Sequence, residues 1–347
     1  MSKRKAYRPR KPVKAKASSR SVESLWDLDR DGLTYSLLSK FVVCPERFRL
    51  AAVEGYSESG LRKALEFGNA FHHALEKSPQ PYAKSVMDYQ RKLLEGTSIH
   101  PTQREELEIL MAQVEGVLHG YERIWAADHA SMQFIHREQV FDVPYQLDMQ
   151  PGVRTIRLRG KWDGVYREAK DFNRPWLFET KTKSDIDSDG LQRTLPQDLQ
   201  TMLYVTTLET VLREPIAGVL YNVIRRPSIY VRKGESIQQY ANRLKEDVIL
   251  RPNFYYHRFV VTLEQGDVVD WRKRCFDPLL RHVVRWWDSV KKNPFDPWAS
   301  PYHYRRPFGI YDGLADGRRG DYFDYFTTGS MSGLRRTHTV FPELEGE

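Results

Sequence analysis

The sequence predicts an α/β fold: a central mixed β-sheet flanked by helices, with helical additions at both ends. Two observations predict it. Gln133–Leu147, Val153–Arg167 and Pro175–Lys181 are strand-like runs in succession, separated by polar or Gly/Pro breaks. Before and after them the apolar spacing changes to that of helices, and helix then alternates with strand.

In chain order, Leu33–Phe41 opens a first helix with Thr34 or Ser36 as N-cap, running towards Cys44-Pro45. A second helix, about Leu61 to Lys77, places Leu61, Leu65, Gly68, His72 and Leu75 on one face. Thr102–Ala127 is a longer helix rich in Leu, Met and Val, and the three strands follow. Then come a helix (Pro196–Leu212), a strand (Ala217–Arg225), a helix (Ser236–Ile249), a strand (Phe254–Leu263) and a helix from Gln265 to Lys292 containing Trp286-Trp287. The last 50 residues are dense in Pro, Gly, Tyr and Phe and predict irregular structure. The expected organisation is a disordered basic arm at 1–22, one α/β unit at 23–300, and an aromatic, Gly-rich extension at 301–347 packed on it.

Composition narrows the function. Cys44 and Cys275 are too few for a disulfide framework or a four-cysteine metal site. No run of about 18 apolar residues suggests a membrane span, and no apolar leader opens the chain. The expectation is a cytoplasmic or nucleoid-associated protein, not a secreted one. The net charge of +8 is unevenly placed. Residues 1–20 hold nine Lys and Arg, among them Lys3, Arg4, Lys5, Arg8 and Arg10, and no acid, so the rest of the chain sums to −1. Such an arm either binds phosphates non-specifically or serves as a solubilising end.

The chemistry lies in the strands. Period-2 alternation puts Glu179 and Lys181 on one face of their strand. In the preceding strand Arg157, Arg159, Lys161 and Asp163 form the polar row, and an antiparallel neighbour brings Asp163 to Glu179. Two adjacent carboxylates repel unless a cation sits between them, and hard oxygen ligands suit Mg²⁺ or Mn²⁺. Lys181 then orients or deprotonates a water, or stabilises transition-state charge. The plainer alternative is a surface salt bridge between Glu179 and Lys181.

Five segments taken together resemble the RecB-like branch of the PD-(D/E)XK nuclease superfamily, which includes CRISPR-associated exonucleases and helicase–nuclease domains. They are Ser36-Leu37-Leu38 with Cys44-Pro45-Glu46-Arg47-Phe48, then Gly68 to Glu76, Gly160–Asp163, Glu179-Thr180-Lys181-Thr182, and Gln200 to Tyr204. The resemblance implies a restriction-endonuclease-like core and a divalent-metal-dependent DNA nuclease, end-processing rather than sequence-specific. It implies His72, Asp163 and Glu179 as metal ligands, with the carbonyl of Thr180 as a further one, and Lys181 as the catalytic lysine. Gln200 and Tyr204 resemble the pair that lines the DNA groove. DNA that is single-stranded or has free ends is the implied substrate. The chain has no G-x-x-x-x-G-K-[ST] phosphate loop, so unwinding falls to a helicase or a recombination or replication partner. Rival readings are a nuclease-fold scaffold without catalysis and an RNA-processing nuclease.

Several members of that branch carry an iron–sulfur cluster on one cysteine of the Cys-Pro turn and three near the C-terminus. Here Cys44 matches the first, while Gly320 and Phe326 stand where later cysteines would. No cluster is expected. The aromatic run from Tyr302 through Tyr304, Phe308 and Tyr311 to Phe326 is expected to replace it by packing. Interleaved Arg305, Arg306, Arg318 and Arg319 offer a single-strand stacking surface as the alternative.

Overall fold

In the computed structural model, the structure describes residues 24–58, 61–96, 101–168, 171–305, 322–341 and 344. The basic arm, including Lys3, Arg4, Lys5, Arg8 and Arg10, lies outside them, as do Arg306, Phe308, Tyr311, Arg318, Arg319 and Gly320.

The centre is a five-stranded mixed sheet in the order β2-β3-β4-β5-β6. β2 (Met132–Asp148) and β3 (Val153–Glu168) form a long antiparallel hairpin, and β3 pairs antiparallel with β4 (Asp171–Lys183). β4 runs parallel to β5 (Gly218–Arg225), and β6 (Tyr256–Thr262) closes the far edge antiparallel. The parallel β4–β5 pair needs a crossover, and helix α5 (Leu199–Leu212) lies within it. A small second sheet joins β1 (Tyr56–Glu58) to β7 (Leu334–Arg336).

Helices cover the sheet in two groups. The larger core packs α5, α7 (Asp277–Lys292) and α1 (Tyr35–Val43) around Leu158, Leu177, Val219, Tyr221 and Trp286. The smaller core gathers α2 (Lys63–Glu76), α4 (Pro101–Ser131) and α6 (Ile237–Leu250) around Phe67, Phe71, Val117, Leu244 and the sheet residues Ile224 and Tyr256. Phe67 and Phe71 are fully buried, and each such ring contributes about 2–3 kcal/mol of apolar burial. Among the described residues no helix is long and apolar enough to cross a membrane.

Four elements differ from expectation. α2 starts at Lys63, so Leu61 lies outside it, and the buried face is Phe67, Ala70, Phe71 and Ala74. Leu65 is exposed, so His72 does not stand on an apolar face but on its flank. The two phenylalanines set the phase because they bury more area than Leu65 and Leu75. The helix Tyr82–Gly96, α3, was not expected; Tyr82, Val86, Tyr89 and Leu93 carry its apolar stripe amid polar residues. The single helix expected over Gln265–Lys292 is Gln265–Trp271, a π turn at Arg272–Phe276 and then α7. Pro278 has no N–H to continue the ladder. The C-terminal region is not wholly irregular, since it contains Phe323–Thr328 and β7.

The C-terminal segment meets the N-terminal helices at the Cys44-Pro45-Glu46 turn. Cys44 is buried with its Sγ near the Tyr304 carbonyl, and Cys275 is exposed. Glu46 is fully buried and accepts from Arg49 Nε (2.6 Å) and Tyr325 OH (2.9 Å), with His303 Nε2 at 3.0 Å. His303 Nδ1 accepts from Trp286 Nε1, so the imidazole proton sits on Nε2, towards Glu46. Polar contacts extend beside this knot: Tyr322 is buried, and its OH donates to the Tyr56 carbonyl at 2.7 Å.

Candidate active site

The site forms where β2, β3 and β4 meet the flank of α2. Gly164 lies against Phe134 and Phe178, and a Cβ there would come within 2.8 Å of the Phe134 ring. That close approach holds β3 tight beside Asp163. The ladder pair Gly164↔Phe178 puts Asp163 opposite Glu179, as the alternation predicted. Asp163 Oδ2 accepts from the Thr180 N–H at 2.6 Å, which fixes the carboxylate to the next strand.

A carboxylate that the sequence reading passed over completes the cluster. Arg137↔Gly164 and Gln139↔Trp162 bracket Glu138 opposite Asp163. Glu138 is buried, and its φ of 46° lies in the left-handed region, which a non-glycine residue occupies at a cost. His72 Nδ1 lies 3.3 Å from Glu138 Oε1 and 3.5 Å from Asp163 Oδ1. One ligand atom from each of His72, Glu138 and Asp163 falls within 4.8 Å of the others. A signal for Glu138 existed in the sequence. Asp148 pairs with Val153 across the hairpin turn, and Glu138 and Asp163 each stand ten residues beyond that pair.

Lys181 Nζ donates to Glu179 Oε1 at 2.6 Å and also to Gln200 Oε1; Gln200 Nε2 donates to Tyr204 OH at 3.2 Å. Gln200 thus reaches the site directly. Tyr204 is buried against Phe141 and accepts from Gln200, through which it touches the site. Lys161, a member of the polar row of its strand, bridges Glu76 (3.0 Å) and Glu138 Oε2 (3.1 Å), so Glu76 supports the site through it. His73 turns away to the Tyr89 ring.

Three carboxylates share this small volume. Burial raises the Asp163 and Glu179 pKa values; Glu138 adds to the effect on Asp163, and Asp163 to that on Glu179. Burial alone would lower the His72 pKa, but Asp163, Glu138 and Glu179 raise it to about 9. Burial alone would lower Lys181 too, and Glu179 with Asp163 raises it. Glu179 Oε2 is buried with no hydrogen-bond partner. An orphaned buried carboxylate oxygen beside two further carboxylates and an imidazole is a donor set that fits a divalent cation.

Among curated proteins none matches this sequence. Among solved structures, one described as "Crystal structure of SSO0001" is similar at 11% identity and a TM-score of 0.26, covering 64% of this chain and 87% of its own. The family model described as the PD-(D/E)XK nuclease superfamily matches residues 32–300. That span holds every residue of the cluster, and the chain belongs to the PD-(D/E)XK nuclease superfamily.

Proposed function

We propose that this chain is a Mg²⁺- or Mn²⁺-dependent deoxyribonuclease of the RecB-like branch. In this reading it is an exonuclease acting on DNA that is single-stranded or has free ends, in recombination, repair or replication. A helicase or a recombination or replication protein supplies unwinding, and the setting is the cytoplasm or nucleoid. The observation that carries the reading is the convergence of His72, Glu138 and Asp163 within 4.8 Å, beside a Glu179–Lys181 pair of 2.6 Å.

His72, Asp163 and Glu179 would hold the cation, with Glu138 and the Thr180 carbonyl completing the set. When bound, the cation supplies Lewis acidity at the phosphate and lowers the pKa of water. The protein does the remaining work. Thr180 N–H holds Asp163 in place, and Lys161 holds Glu138. Lys181 serves as an ammonium donor, positioned by Glu179 and Gln200, that orients the attacking water and stabilises charge on the phosphorane oxygens. Tyr204 holds Gln200, so the α5 pair positions the lysine as well as bordering the DNA path.

The test is cleavage of end-labelled linear single- and double-stranded DNA beside closed circles, with Mn²⁺, Mg²⁺ or EDTA. Metal-dependent loss of linear DNA alone is expected, with a fall of about 10²–10⁴-fold in Lys181→Ala while DNA binding persists. Cutting of circles would overturn the exonuclease assignment. Preference for RNA would overturn the substrate, and binding without cleavage in either metal would favour a scaffold.

A further inference from the structure

An open pocket of about 530 Å³ lies at the end of the catalytic strand, lined by Ala64, Leu65, Thr182, Lys183, Ser184, Asp185 and Arg226. Its floor continues the site. Thr182 and Lys183 directly follow Lys181 on β4, and the wall is the first turn of α2, the helix that carries His72. Gly68, one turn before His72, keeps that wall close, because a Cβ there would stand 3.3 Å from Thr182 Oγ1.

The charges in this pocket are unbalanced. The Asp185 carboxylate is engaged by Arg225 at 2.8 Å. Among the described residues, Lys183 and Arg226 have no carboxylate at ion-pair distance. Burial lowers the Arg226 pKa. Arg226 is held in place by its backbone, whose N–H donates to the Lys183 carbonyl at 2.7 Å. Two cations and two hydroxyls (Thr182 and Ser184) around a concave surface, with the one lining carboxylate already paired to Arg225, make an anion receptor.

We propose that this pocket is a phosphate subsite that seats a backbone phosphate of the nucleic-acid substrate beside the scissile one. The proposal rests on the nuclease reading of the neighbouring site. Lys181 and Lys183 point to the same face two residues apart, about 7 Å along the strand.

The experiment measures binding of a short fluorescent oligothymidylate in EDTA, across a salt series, to wild type, Lys183→Ala, Arg226→Ala and Arg226→Lys. Arg274→Ala, whose exposed arginine pairs with Asp270 one turn earlier and lies outside the pocket lining, is the charge-matched control. Each alanine variant is expected to weaken binding about tenfold. Each should flatten the slope of log affinity on log salt by about 0.7, with Arg226→Lys keeping most of the slope. Melting temperatures equal to wild type separate this from misfolding. Unchanged affinity and slope in both alanine variants would overturn the subsite. Displacement of the oligonucleotide by inorganic phosphate at equal concentration would also overturn it, in favour of a free-anion site. Because no metal is present, this result stands apart from the cleavage assay. Inactive wild type with intact slopes would sink the nuclease reading alone.

Discussion

Glu138 faces Asp163 across the β2–β3 ladder, and His72 Nδ1 lies within 3.5 Å of a carboxylate oxygen of each. The site is therefore built from both arms of one hairpin as well as from β4. A left-handed backbone at Glu138 is tolerated because its side chain is fixed between His72 and Lys161.

Replacing Glu138 tests that geometry. Glu138→Gln keeps the shape and removes the charge, so Mn²⁺ affinity measured by calorimetry should fall about 10–100-fold, with the fold intact by circular dichroism. An unchanged Mn²⁺ affinity would remove Glu138 from the centre and leave it a structural partner of Lys161.

The metal-free site has a definite pH sign. His72, Asp163, Glu179 and Lys181 all have raised pKa values in the folded state. At the site the folded protein then binds more protons than the unfolded one, so the site's contribution to metal-free stability is present at low pH and is lost as pH rises through about 9, the His72 value. A cation replaces those protons. The Mn²⁺-induced rise in melting temperature should therefore grow from pH 6 to pH 9, with protons released on binding. A constant shift across that range would contradict the coupling.

The Glu46 knot has the opposite sign. Burial alone would raise its pKa, but Arg49, His303 and Tyr325 lower it to about 2, from 4.5. Its contribution is fully present above about pH 4.5 and is lost as pH falls towards 2. Denaturant midpoints should drop over that window in wild type. Glu46→Gln should lose about 3 kcal/mol at neutral pH and show a flatter acid limb. Parallel acid limbs in the two proteins would show that Glu46 is not the titrating group.

The basic arm lies outside the described residues, and its prediction rests on charge alone. Deleting residues 1–20 removes nine cations and no anion. DNA affinity should fall most at low salt, and the salt slope should shrink. Equal affinities with and without the arm would make it a solubilising end.

Much of this protein was determined by its sequence alone. Local alternation reports which side chains share a strand face, so Glu179 with Lys181, and the strand runs of the sheet, were legible. Spacing within one helix likewise links Gln200 to Tyr204. The tertiary structure decided what depends on register and phase. Glu138 joined the site because the ladder sets it against Asp163; counting outward from the turn finds the pair only once the register is known. His72 moved to a flank because Phe67 and Phe71 compete for the buried face of α2 and win by area. α3 escaped notice because its stripe is sparse and is stabilised by contact with α2 and α4 rather than by its own composition. The Glu46 knot joins residues some 260 to 280 positions apart in the chain. Such long-range pairs form only when folding buries both partners together, because in the unfolded chain water satisfies each of them separately.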